Sequence, residues 1–408
     1  MDKVNKFLLM VIAMAAIMIT AVGIDRGLEY YNAQKWEKER EARYEQARAQ
    51  VAEMQLTISE LSGDQEAIEA FIEENRKYFE ETATTSELES ALPEEEQMSV
   101  SDNVQMSVSD NIQMSVSNNT QISASENRIY DISGNELSEP ADVQTVSANE
   151  LVDVSGNTLL EKRKIRGSYM ETQMQNEADR IVIAGSSYDF SNISIACLGD
   201  SITQASNLES MEDYQQYAYP TRLKEILGAE SVTNLGIGGS SIGRYWNQAY
   251  VDRYREIPQD TDLIIVMGGT NDGFCLTQEE LGTLEERRAG TFTGDLDELM
   301  QGLKENYPDA TIVFATPLPN ILHDVLRKER QDLLPQTTLV NVMKQLAEEY
   351  EIPVIDLYNS NILDTHDAAV IYNYMPDGVH CNPDGYMILA EHFAAELIKL
   401  YEKQRVGE

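Results

Sequence analysis

Apolar residues follow four different spacings along this chain, one after another. From Phe7 to Ile24 they run without a break and without a charge. Further on, Tyr44, Ala47, Val51, Met54, Ile58 and Leu61 recur at intervals of three and four. Residues 97–128 hold only scattered apolar positions inside a polar repeat. From Asn192 onward, short apolar runs alternate with stretches of helical period. Each spacing predicts a different kind of structure.

The last regime is the richest. Asn192–Leu198, Ser231–Leu235, Asp262–Met267, Thr311–Thr316 and Pro353–Leu357 read as buried strands, short and mostly apolar. Helical patterns cover Gln215–Leu227, Gly294–Asn306, Thr337–Tyr350 and Pro383–Tyr401. Strand alternating with helix predicts right-handed crossovers and a doubly wound parallel α/β sheet. Roughly 220 residues are enough to bury one such core.

Three short words sit at the ends of these runs. Gly199-Asp200-Ser201 offers a nucleophile in the turn after a strand, where open α/β sheets place their ligands. A serine hydroxyl needs a neighbouring base. Of the four histidines, His323, His366, His380 and His392, only His380 has a carboxylate three residues before it, Asp377. Asp377 can hold the imidazole tautomer and stabilise the imidazolium. His392 falls within a helical pattern and reads as a face residue; His323 and His366 border polar stretches. Gly268-Gly269-Thr270-Asn271-Asp272 turns sharply after a central strand and presents the Asn271 amide. Gly239, in Asn234-Leu235-Gly236-Ile237-Gly238-Gly239, supplies a second N–H beside that of Ser201. Such donors hold the negative charge that develops in acyl transfer. Asp200 reads as a turn residue.

From about Ile193 onward, the chain resembles the SGNH/GDSL hydrolase family. Its Ser block falls on Gly199-Asp200-Ser201 and its Gly block on Asn234 to Gly239. Its Asn block falls on Gly269-Thr270-Asn271-Asp272, and its His block on Asp377-Gly378-Val379-His380. The resemblance implies a three-layer flavodoxin-like fold and metal-free ester hydrolysis through Ser201, His380 and Asp377. The oxyanion hole would be Ser201, Gly239 and Asn271. Two decoys fall away. Gly239-Ser240-Ser241-Ile242-Gly243 matches a nucleophile elbow, but the strand before it ends near Leu235. The same glycines lack an acidic ribose partner for dinucleotide binding. Tyr245, Trp246 and Phe274 are candidates for pocket walls or for ordinary packing.

The N-terminal half adds a setting. Phe7–Ile24 is long enough, at about 27 Å as a helix, to cross a bilayer. Lys3 and Lys6 precede it. We expect residues 1–25 to be a short cytoplasmic tip and a signal anchor, with the enzyme outside; a cleaved leader ending near Gly23 is the alternative. The charges Arg26, Lys35, Lys38, Arg40 and Arg43 after the span do not favour that orientation. Residues 26–84 read as a helical stalk about 80 Å long. Its a/d spacing fits either a lone solvated helix or a homodimeric coiled coil, with a break at Ser62-Gly63-Asp64. Residues 85–185 read as a low-complexity linker carrying four octapeptides of the type Gln-Met-Ser-Val-Ser-Asp-Asn-Val over 97–128. The hydrolase domain is assigned to 186–408.

Charge and cysteines narrow the partners. A formal net charge of −39 excludes nucleic acid and anionic lipid as natural partners. Cys197, Cys275 and Cys381 make no disulfide framework. No Cys/His cluster has metal-ligand spacing, so no cofactor is expected. The expected activity is a membrane-anchored serine esterase removing short acyl groups, acetyl above all, from a wall or extracellular polysaccharide. A lysophospholipase, an O-acyltransferase and a catalytically silent scaffold are the competing readings.

Overall fold

The computed structural model describes residues 38–76, 129–130, 136–137 and 165–407. The run Phe7–Ile24 and the octapeptides lie outside the described residues. Among the described residues no helix is long and apolar enough to cross a membrane. Residues 38–76 and 165–407 belong to one compact unit. In a second unit, Ile129–Tyr130 pairs antiparallel with Glu136–Leu137.

All five expected strands form, shifted by a residue or two at their ends: β1 (Ser194–Gly199), β2 (Ser231–Gly236), β3 (Leu263–Met267), β4 (Thr311–Ala315) and β5 (Val354–Ile355). They make one parallel sheet in the order β2-β1-β3-β4-β5. β3 is buried at every position and β1 from Ile195 onward, as expected for strands covered on both faces. The edge strand β2 is only half covered, and its composition is correspondingly more polar.

The order reverses direction after β2, so β1 and β3 flank a topological switch point, the crevice where such sheets bind ligands. Register finishes the alignment. Gly199 pairs with Gly236 on one side and with Met267 on the other. The Ser, Gly and Asn blocks therefore leave the sheet from one row, at one edge.

Helices fall into two groups, as opposed right-handed crossovers require. α7 (Pro383–Gly407) packs against α3 (Tyr169–Gly185) and α4 (Tyr219–Leu227). α5 (Phe292–Asn306) packs against α6 (Gln336–Glu349). α3 corrects the expectation of a linker reaching residue 185. It starts in a capping box, with Ser168 accepting from the Glu171 N–H. It is fastened to α7 by Arg180–Glu391 (2.9 Å) and His392–Asp179 (2.8 Å). Its polarity is inverted: Thr172, Asn176 and Asp179 are buried while Met170, Met174 and Ile181 face outward.

A second correction concerns the stalk. α1 (38–61) and α2 (Gln65–Asn75) are separated by the expected break, where Asp64 caps α2 through the Glu66 and Ala67 N–H groups. The seam of α1 does not project as a free rod. Tyr44, Ala47, Val51 and Ile58 are buried against the α/β domain of the same chain. Tyr44 packs on Tyr245 and Trp246, each at 6.3 Å between ring centroids. Ile58 lies under the His block, so close that a Cβ at Gly378 would come within 3.1 Å of its Cδ1. Gly378 also has φ +78°, which favours glycine on a second count. α2 buries Ile68 and Ile72 and packs on Ala368–Asn373.

His323 and His366 are buried in this scaffold. His366 bridges Asp364 (Nδ1 to Oδ1, 2.7 Å) and Asp324 (Nε2 to Oδ2, 2.9 Å). His323 Nδ1 stands 3.6 Å from Asp324 Oδ1. Burial works to raise the Asp324 carboxyl, but the two imidazoles outweigh it and hold the group below its ordinary value. A carboxyl depressed in the folded state adds stability above its unfolded pKa, about 3.9, and loses it as pH falls through the folded value. Asp324→Asn should therefore cost about 3–5 kcal/mol at pH 7, because it removes the buried carboxylate that is bonded to His366 Nε2 and faces His323. It should also flatten the acid side of the stability profile. Denaturant titrations from about pH 2 to pH 7 measure both effects.

Candidate active site

Ser201 opens a one-turn helix, Ser201–Gln204, directly after β1. Asp200 caps that turn by accepting from the Ile202 N–H (2.9 Å), the structural part expected of it. Its burial pushes its carboxyl up to about 6, against the pull of the Ile202 N–H and of His380. His380 arrives from a loop 179 residues away, and its Nε2 lies 2.8 Å from Ser201 Oγ. Its Nδ1 lies 2.6 Å from Asp377 Oδ2. Asp377 is itself held in place, Oδ1 accepting from the N–H groups of Val379 (3.0 Å) and His380 (2.7 Å). With the Nδ1 proton donated to Asp377, Nε2 is left to accept from the serine hydroxyl.

The electrostatics follow from these contacts. Burial favours neutral His380, but the charge and hydrogen bond of Asp377, helped by Asp200, outweigh it and raise the imidazole above its ordinary value. Asp377 is depressed, because the opposing contacts to His380 and two backbone N–H groups exceed the cost of burial. Only neutral His380 can take the serine proton. The acid limb of kcat/KM should therefore lie above pH 6.5, the ordinary imidazole value. A limb at or below that value would contradict the arrangement.

The expected oxyanion donors sit on two neighbouring loops. Gly239 has φ +72°, a conformation that favours glycine at this point of the Gly block. Asn271, in the turn Thr270–Gly273, donates one amide proton to Ser240 O (2.9 Å), which leaves the other for the crevice. Both residues line a cleft of about 320 Å³ with Ser201, His380, Phe274 and Val379. Asn271→Ala should lower kcat about 100- to 1000-fold with a smaller change in KM, measurable with a chromogenic ester.

Three features escaped the sequence reading. Asp272, fully buried, accepts from Ile242 N (3.0 Å), Gly243 N (3.1 Å) and Tyr245 OH (2.6 Å), and so fixes the loop behind Gly239. Arg253, 5 % exposed, donates to Gly199 O (2.8 Å) and Leu235 O (2.9 Å) and braces the ends of β1 and β2. Asp272 stands in the Asn block, but neither motif spacing nor periodicity gives its bracing role or marks Arg253. The third feature is α1, whose Val51 and Gln55 line the catalytic cleft. The spacing of Val51 was visible, but it named a face and not the surface that covers it.

The remaining candidates have other duties. Ser241, the decoy nucleophile, is buried and donates to Gly243 O (2.8 Å). Tyr245 serves Asp272, and Trp246 lies under the Arg48 guanidinium at 5.3 Å. The three cysteines are free and buried. Asp179, His392 and Glu396 bring three ligand-type atoms within 4.8 Å of one another; the bond between His392 and Asp179 joins α7 to α3.

Residues 197–388 match the model of the GDSL-like lipase/acylhydrolase family. Among solved structures, a protein from Lactobacillus plantarum is 29% identical, with a TM-score of 0.44 over 51% of this chain and 97% of that one. An acetyl xylan esterase from Geobacillus stearothermophilus is 23% identical, with a TM-score of 0.35 over 50% of this chain and 93% of that one. An aryl esterase from M. smegmatis is 19% identical, with a TM-score of 0.36 over 51% of this chain and 99% of that one. A search of curated proteins finds no match.

Proposed function

Because this chain belongs to the GDSL-like lipase/acylhydrolase family and is an SGNH-type ester hydrolase, we propose that it removes short acyl groups from a polysaccharide outside the cell while tethered to the membrane by Phe7–Ile24. The hydrogen-bonded chain Asp377–His380–Ser201, opening into a cleft of about 320 Å³, carries this reading. That volume sits at the small end of ligand sites, about 300–1,000 Å³, and suits a short acyl group. Its polar side, with Ser206, Asn207 and Gln55, suits a hydroxylated leaving group.

The chemistry runs in two halves. Ser201 Oγ attacks the ester carbonyl as His380 Nε2 takes its proton. The carbonyl oxygen becomes an oxyanion held by the N–H groups of Ser201 and Gly239 and by the Asn271 amide. His380 then protonates the departing alcohol oxygen, which leaves an acyl-Ser201 ester. Water, deprotonated by the same imidazole, attacks that ester and restores the enzyme. Asp377 orients the ring and stabilises its charged form throughout.

The test uses the full chain on p-nitrophenyl esters from acetate to palmitate, together with acetyl release from an acetylated polysaccharide. We expect kcat/KM to be highest for the shortest acyl groups. A maximum at long chains would replace this reading with a lipid esterase. Protease treatment of intact cells addresses the placement, and a shielded C-terminal domain would overturn it.

A further inference from the structure

We propose that α1 is a specificity-determining cap, with Val51 and Gln55 in contact with the bound substrate. This deepens the function proposed above and rests on its ester chemistry. Both residues lie outside the segment matching the family, 197–388, yet both line the cleft that holds Ser201 and His380.

The helix is fastened on either side of the cleft. At its N-terminal side, Tyr44 packs on Tyr245 and Trp246, and its hydroxyl donates to Glu280 Oε1 (3.2 Å). At the other side, Ile58 is buried beneath Gly378 of the His block. Between these anchors α1 covers about 21 Å at 1.5 Å per residue, enough to cross the cleft. Val51 and Gln55 fall in the middle, one helical turn apart, on one face.

Chemistry divides the two residues. Val51, Phe274 and Val379 are apolar residues of the cleft lining, suited to an alkyl group. Gln55, Ser206 and Asn207 are polar residues of the same lining, suited to hydrogen-bond a hydroxylated alcohol. The cap therefore sets acyl length through Val51 and reads the alcohol through Gln55.

Full-length Val51→Ala, Val51→Phe and Gln55→Leu are compared with the wild type on p-nitrophenyl acetate, butyrate and hexanoate, and on a monoacetylated cellobiose whose other hydroxyls are free. Val51→Ala should raise the hexanoate-to-acetate ratio of kcat/KM roughly tenfold, and Val51→Phe should lower it. Gln55→Leu should raise KM for the sugar ester several-fold more than KM for p-nitrophenyl acetate. Gln55 is half-buried where Val51 is buried, so this variant keeps the test alive if a Val51 variant fails to fold. Profiles that superimpose on the wild type overturn the cap. A wild-type preference for long chains overturns the short-acyl reading alone, and the cap stands if Val51→Ala still moves the ratio.

Discussion

Ser201→Ala abolishes ester hydrolysis, with kcat falling by about 10⁴- to 10⁶-fold. The size of this loss follows from what the hydroxyl does. In the proposed mechanism it is the atom that forms the covalent bond, and the decoy serine, Ser241, is buried and committed to Gly243 O. The variant should keep its fold, because Ser201 is only partly buried and the turn it opens is capped by Asp200. Rates with a chromogenic acetate, alongside an unchanged thermal transition, measure the effect. Equal turnover by wild type and variant would remove Ser201 from the reaction.

Asp377→Asn should be nearly as severe, about 10⁴-fold in kcat. The amide keeps the shape but not the charge. Two backbone N–H groups already donate to Asp377 Oδ1, so the amide oxygen would stay there and its NH₂ would turn toward His380 Nδ1. That drives the Nδ1 proton to Nε2, where it faces the serine instead of accepting from it. The loss of the negative charge also removes the main influence raising the imidazole pKa, so the residual activity should show its acid limb at lower pH. A variant with a wild-type rate and an unmoved limb would show that Asp377 neither orients nor charges His380.

Much of the site was legible because register makes sequence order into geometry. Gly199, Gly236 and Met267 lie in one row, so blocks that follow strand-like runs had to leave the sheet together. Asp377 and His380 were legible through their spacing of three. What misled was apolar pattern taken alone. α3 buries Thr172, Asn176 and Asp179 and exposes Met170, Met174 and Ile181, so its periodicity pointed away from the core and the segment read as linker. The seam Tyr44–Ala47–Val51–Ile58 was correctly an apolar face, but spacing cannot say whether a second helix or the chain's own domain covers it. The roles of Asp272 and Arg253 were not legible because the groups they bond, mostly main-chain, are brought near only by the fold.

The most direct measurement of the catalytic account is peptide mapping by mass spectrometry after treating the full chain with a fluorophosphonate. One adduct should form, on the peptide bearing Ser201, with loss of hydrolysis in proportion to labelling and no adduct in Ser201→Ala. Labelling of another residue, or full esterase activity in protein quantitatively modified at Ser201, would contradict it.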